Sequence, residues 1–171
     1  NNDNSQKLDK TIHDFMAFMD KPNASNIIIN HLSVLAQAAP KIVVDALKAE
    51  MKKTNGIIMS LFNHPQQSDS RYMNILFALD KLTFYSESAV PACRILFRLY
   101  QTDQNKFRDS NSPYSSLLNA LCFINTYFPF PIKRKVELLL NFLKKDSYNG
   151  GKLIVGILNK DEILYLRHMV E

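Results

Sequence analysis

The sequence predicts an all-α fold: an irregular stack of antiparallel helical hairpins, a HEAT-like α-solenoid, with a closed helical bundle as the alternative. Three observations carry that prediction. Apolar residues recur at spacings of three and four along most of the chain, the period of a helix with one buried face. Only four glycines occur, too few for the tight turns of an all-β or dinucleotide-binding fold. Prolines and short polar runs separate the periodic segments, as helix starts and stops require.

Leu8, Ile12, Phe15, Met16 and Met19 make one face of a first helix, which Lys21-Pro22-Asn23 stops. Ser25 offers an N-cap to a second helix with the stripe Ile28, Leu32, Leu35 and Ala39. Pro40 suits the first turn of a third helix, where its fixed φ is already helical and no N–H is needed. That helix runs to about Lys53 with Val43, Ala46 and Leu47 on its apolar side, and Thr54-Asn55-Gly56 closes it with a residue that tolerates left-handed geometry. A short helix through Leu61 and Phe62 comes next.

Residues 64–70 are polar and aperiodic, a first long loop, with Ser70 as the cap of the helix after it. Ile75, Ala78, Leu79 and Leu82 resume the helical spacing, a turn falls near Ser86 and Ser88, and Ala92, Ile95, Leu96 and Leu99 repeat the spacing antiparallel to it. After a second long loop, 102–112, Ser112-Pro113 supplies an N-cap and a first-turn proline for a helix with Leu117, Ala120, Leu121 and Ile124. Val136, Leu139, Leu140 and Leu143 form another, widened by Leu138 and Phe142 and stopped by Asn149-Gly150-Gly151. Leu153, Ile154, Ile157 and Leu158 precede a last helix capped by Asp161. A loose echo of helix, proline turn and helix recurs around Pro40, Pro91 and Pro131 at unequal intervals. The chain thus reads as one helical domain over residues 1–171, with the two long loops as the places where it would subdivide.

Composition narrows the setting. Cys93 and Cys122, the two cysteines, both sit in apolar helical stretches, which suits small core side chains in a reducing compartment. No apolar run reaches the roughly 18 residues that cross a bilayer, and the polar start lacks the regions of a signal peptide, so a cytoplasmic protein without a membrane partner is expected. The first residue is asparagine, which reads as the start of a fragment of a longer protein. A formal charge of +5 permits contact with nucleic acid.

No motif for catalysis, cofactor or metal stands out. His13, His31, His64 and His168 lack a second ligand at metal spacing; His31 reads as a partly buried polar residue, and His13 and Asp14 as neighbours whose side chains diverge. Cys93 has no nominated acid–base partner. Gly150-Gly151-Lys152 lacks the upstream glycine and the following Ser or Thr of a phosphate-binding loop. Binding residues are more readable. Lys133, Arg134 and Lys135, with Lys144, Lys145 and Lys152, form a basic stretch that could track a phosphate backbone, although Glu137 and Asp146 interrupt it. Phe107 and Arg108 sit in a loop, where binding residues concentrate; Phe107 also fits a loop anchor.

The blocks Leu35-Ala36 before Pro40, Leu76 with Ala78, Leu79 and Leu82, Asn111-Ser112-Pro113 before Ser116-Leu117, and Gly150 with Lys152-Leu153 carry a resemblance. They resemble helical-repeat regions of large multidomain bacterial proteins associated with STAND-type NTPase or effector modules in antiphage defence. The family pattern carries tryptophans in its two later blocks; this chain has none, and Gly151 stands at one of those places. The resemblance implies a non-enzymatic sensor, scaffold or oligomerisation segment whose partner is a protein or another domain of the same polypeptide. It transfers no site residue. The periodicities independently suit a protein-interaction scaffold, with a nucleic-acid-binding helical module as the alternative.

Overall fold

The computed structural model describes residues 2–63 and 70–102, together with 112, 113, 115–117, 119 and 120. All of these belong to one compact unit, Asn1–Ala120. They are helical throughout, apart from short turns: α1 (Asn2–Met16) runs into a 3₁₀ turn (Ala17–Asp20), then come α2 (Pro22–Ala38), α3 (Pro40–Glu50), α4 (Ile57–Asn63), α5 (Ser70–Leu82) and α6 (Ser86–Thr102). Among the described residues the predicted all-α class is what the fold shows.

Proline sets two of the helix starts. Lys21 (φ −88°, ψ 121°) and Ala39 (φ −143°, ψ 70°) both leave the helical region just before a proline at the first helical position. A proline ring crowds the preceding residue out of α geometry, so each X-Pro pair ends one helix and starts the next. Pro40 performs the role the sequence assigns to it. Ser25 does not cap α2: the helix begins three residues earlier, and Ser25 lies buried in its first turn with its N–H bonded to the Lys21 carbonyl at 2.8 Å.

The turn between α5 and α6 also lies earlier than expected, at residues 83–85, because hydroxyls close it. Thr83 Oγ1 donates to the Asp80 carbonyl at 2.6 Å, and Ser88 Oγ, from the first turn of α6, reaches back to the Leu82 carbonyl at 2.6 Å. Each of these carbonyls at the end of α5 also accepts a backbone N–H, Asp80 from Thr83 at 3.2 Å and Leu82 from Tyr85 at 3.4 Å, so the hydroxyls add a second bond to a tight turn. Pro91 marks no turn at all. It stands inside α6, where the missing N–H deprives the Glu87 carbonyl of its usual i+4 donor. Ser112 behaves as predicted, its Oγ accepting from the Ser115 N–H at 3.2 Å while Pro113 begins the helix.

The core keeps to the period. Ile28, Ile29, Leu32 and Ala36 of α2, Val43, Val44 and Leu47 of α3, Ile75, Leu76, Ala78, Leu79 and Leu82 of α5, and Ala92, Cys93, Ile95, Leu96 and Leu99 of α6 are all buried. Ile12, Met16 and Met19 are buried as well, but Leu8 at the outer end of α1 is half exposed. α2 packs most extensively on α5, and α3 on α6. The bonds Arg71–Asn26 and Asn74–Asn30, followed by Tyr85–Gln37 from the turn after α5, progress in one sense along α2 and along the α5 segment, so the two helices run parallel. If α2–α3 and α5–α6 are taken as two hairpins, the first helix of one lies on the first of the other and the second on the second. Phe62 of α4 packs on Tyr72 of α5 with ring centroids 4.3 Å apart, holding the short helix against α5.

Candidate functional site

Two surfaces come out of this arrangement. The first is a groove of about 780 Å³ between α1, the 3₁₀ turn and α3. Met16, Met19, Ala39 and Ala46 are among its apolar lining, and Asp9, His13, Lys41, Asp45, Glu50, Lys53 and Glu87 line it with ionisable groups. Four of these groups are paired with one another, Lys41 with Asp45 and Lys53 with Glu50. Lys41 Nζ donates to Asp45 Oδ2 at 3.0 Å, and Lys48 Nζ to Oδ1 at 3.3 Å, an i,i+4 and an i,i+3 pair on one helix face. The hydrogen bond and the opposite charge raise the Lys41 pKa, and the Lys41 hydrogen bond lowers that of Asp45.

Glu50 is the deepest of these groups, only 3% exposed. Its Oε1 accepts the Ile57 N–H at 2.8 Å, which satisfies a donor at the start of α4, and its Oε2 lies 2.7 Å from Lys53 Nζ, an ion pair that is off the hydrogen-bonding direction. Gly56 makes room for this. A Cβ on Gly56 would stand 2.7 Å from the Glu50 carbonyl oxygen and 3.2 Å from Oε1. The glycine is thus required by close approach; its φ lies outside the left-handed region that the sequence suggested. The carboxylate organises the α3–α4 corner, a structural task that accounts for its burial.

The second surface is the outer side of α2 and α5. Ile27 and Val34 are 55% and 65% exposed, and His31 and Ala38 on the same stripe are exposed too. Phe77 of α5 is 49% exposed. Between the helices lies a polar seam in which Arg71 donates to Asn26 Oδ1 at 3.0 Å and Asn74 to Asn30 Oδ1 at 3.1 Å. His31 is therefore a surface residue rather than a partly buried one. His13 and Asp14 also depart from expectation, approaching to 3.6 Å on the exposed side of α1.

Burial shifts two ionisable groups. Desolvation pushes the Cys93 thiol up to about 12, far from the thiolate a nucleophile needs. Desolvation also raises the Asp80 pKa, against a hydrogen bond from Ser116 Oγ to Oδ2 at 3.3 Å; its Oδ1 is buried without a hydrogen bond. Among the described residues no group of three His, Cys, Asp or Glu side chains could hold a metal ion, and no helix is long and apolar enough to cross a membrane. The binding residues named from sequence, Phe107, Arg108, Lys133, Arg134, Lys135, Lys144, Lys145 and Lys152, lie outside the described residues, as do Cys122 and Gly150-Gly151-Lys152.

No family model, curated protein or solved structure matches the chain. The outer α2–α5 surface has a sequence mark that does not lie on the buried stripes. Ile27 and Val34 are apolar at i and i+7, off the stripe of Ile28 and Leu32, on a helix without a single Asp, Glu, Lys or Arg. An uncharged outer face on a surface helix departs from the usual polar one.

Proposed function

We propose that the chain is a non-catalytic helical scaffold or protein-interaction module, built as an open stack of hairpins, in a cytoplasmic setting. It serves as the sensor or oligomerisation segment of a larger bacterial multidomain protein of the kind associated with antiphage defence. The observation that supports this reading is the packing of α2 on α5 and of α3 on α6, the pairing that stacked hairpins produce. The engaged polar groups support it, since Glu50, Thr83, Ser88 and Ser112 close corners or cap helices. Amine-reactive cross-linking of the full gene product in its host, read by mass spectrometry, tests the proposal. Exposed Lys41, Lys48 and Lys81 should cross-link reproducibly to one other polypeptide or to another domain of the same one. Abundant links within the chain with none beyond it would sink the scaffold.

The net charge of +5 and the basic residues from Lys133 to Lys152 support a second reading, a nucleic-acid-binding helical module. Generic DNA or RNA should then bind with an affinity that falls steeply with salt and with Lys133→Glu and Lys135→Glu. Absence of binding at low salt removes that reading.

A further inference from the structure

We propose that Asn55 is a site of spontaneous covalent modification: the Gly56 backbone nitrogen displaces its side-chain amide, and the isoaspartate that results loosens the α3–α4 corner. Asparagine is a thermolabile side chain, and a following glycine has no Cβ to shield its own nitrogen. Asn55 lies exposed in the turn after α3, and its side chain makes no hydrogen bond to the described residues. The Gly56 N–H is held only by the Lys53 carbonyl at 3.4 Å, the long end of what counts as a bond. Asn26, Asn30 and Asn74 differ on each count. Their amides are engaged in the α2–α5 seam, they sit inside helices, and Ile27, His31 and Ile75 follow them.

The chemistry needs only water. A bond forms from the Gly56 nitrogen to Asn55 Cγ, the Cγ–Nδ2 bond breaks, and the Gly56 amide proton leaves with Nδ2 as ammonia. Water then opens the five-membered imide. Attack at Cγ leaves aspartate; attack at the main-chain carbonyl carbon leaves isoaspartate, with the backbone rerouted through the side chain. Nothing is oxidised or reduced. Isoaspartate lengthens the main chain by one C–C bond, about 1.5 Å. It does so where a Cβ on Gly56 would already stand 2.7 Å from the Glu50 carbonyl oxygen and where Glu50 Oε1 holds the Ile57 N–H at 2.8 Å. Closely built corners do not absorb such a length without giving up contacts.

Warm incubation of the folded chain at mildly alkaline pH, followed by digestion and peptide mass spectrometry, tests this. An Asn149→Gln background removes the second Asn-Gly pair of the sequence. The peptide holding Asn55 should split into two acidic products, isoaspartate the larger, at least about tenfold faster than peptides holding Asn26, Asn30 or Asn74 convert. Asn55→Gln keeps an exposed amide but would have to close a six-membered ring; it should stop the conversion and leave the melting temperature unchanged. No conversion in the folded chain, whatever the urea-unfolded chain does, overturns the proposal. Aspartate without isoaspartate would mean direct hydrolysis and overturns the ring route. Anion exchange separates the converted chain by its added negative charge. Its isoaspartate form should melt below an Asn55→Asp variant, which carries the same charge on an unaltered main chain. Equal melting would overturn the loosening of the corner.

Discussion

Helices α2 and α3 are neighbours in sequence, start alike and bury alike, yet their outer faces are opposites. Both begin with a proline after a residue outside the helical region, and both bury a stripe of Ile, Leu or Val. α3 turns the Lys41–Asp45–Lys48 ladder to solvent; α2 turns Ile27, His31 and Val34. Inner faces are fixed by what the core needs, so their similarity comes from packing. Outer faces are free of that demand, and their difference reports on something other than stability.

The equality of the inner faces can be broken most forcefully. Leu32 of α2 and Leu47 of α3 are both fully buried, so Leu32→Ala and Leu47→Ala should each cost about 2–5 kcal/mol in urea unfolding. Costs that differ by more than the spread of core truncations would show that one helix is peripheral to the core. Next in size is the corner that only α3 possesses. Gly56→Ala should cost about 1–3 kcal/mol, because the added methyl meets a backbone carbonyl that cannot move aside without shifting the end of α3. A neutral result would mean that the Glu50 corner is not as closely built as its 2.7 Å approach implies.

The same contrast separates the features that residues alone reveal from those they conceal. The buried stripes are legible because a helix repeats every 3.6 residues and the core samples that period locally. Corners are less so. The α5–α6 turn depends on Ser88 reaching a carbonyl six residues back, and Gly56 is demanded by an oxygen six residues back, distances at which spacing rules say nothing. Pro91 misleads because a proline in a helix interior and a proline in a turn look the same in sequence. The α2–α5 seam joins residues 44 and 45 apart, so no local pattern announces it, although the charge-free composition of α2 marks the face beside it.

Asp80 offers a smaller and directional effect. Burial raises its pKa above the ordinary 3.8 of an aspartate, so between those two values the folded chain binds more protons than the unfolded one. Stability should then be greatest below the unfolded pKa and decline as pH rises through the folded one. Asp80→Asn keeps an acceptor for Ser116 and removes the desolvated charge. It should flatten that part of the pH profile and stabilise the chain at neutral pH by about 1 kcal/mol or less. A lower melting temperature at neutral pH would show that the carboxylate is needed charged.

The outer faces supply the smallest effects. Asp45 is exposed, and its lowered pKa reflects the Lys41 hydrogen bond, so its contribution is present above the unfolded pKa and fades as pH falls through the folded one. Solvent screens such pairs, and Asp45→Asn should cost only about a few tenths of a kcal/mol, less at high salt. Val34→Asp on α2 should change stability by no more than about 0.5 kcal/mol, since it leaves no buried group behind and its helix propensity is close to that of valine. If both hold, neither outer face matters to folding, and the apolar one has no reason in the fold to be apolar. A clear loss of stability from Val34→Asp would instead tie Ile27 and Val34 to the folded chain itself.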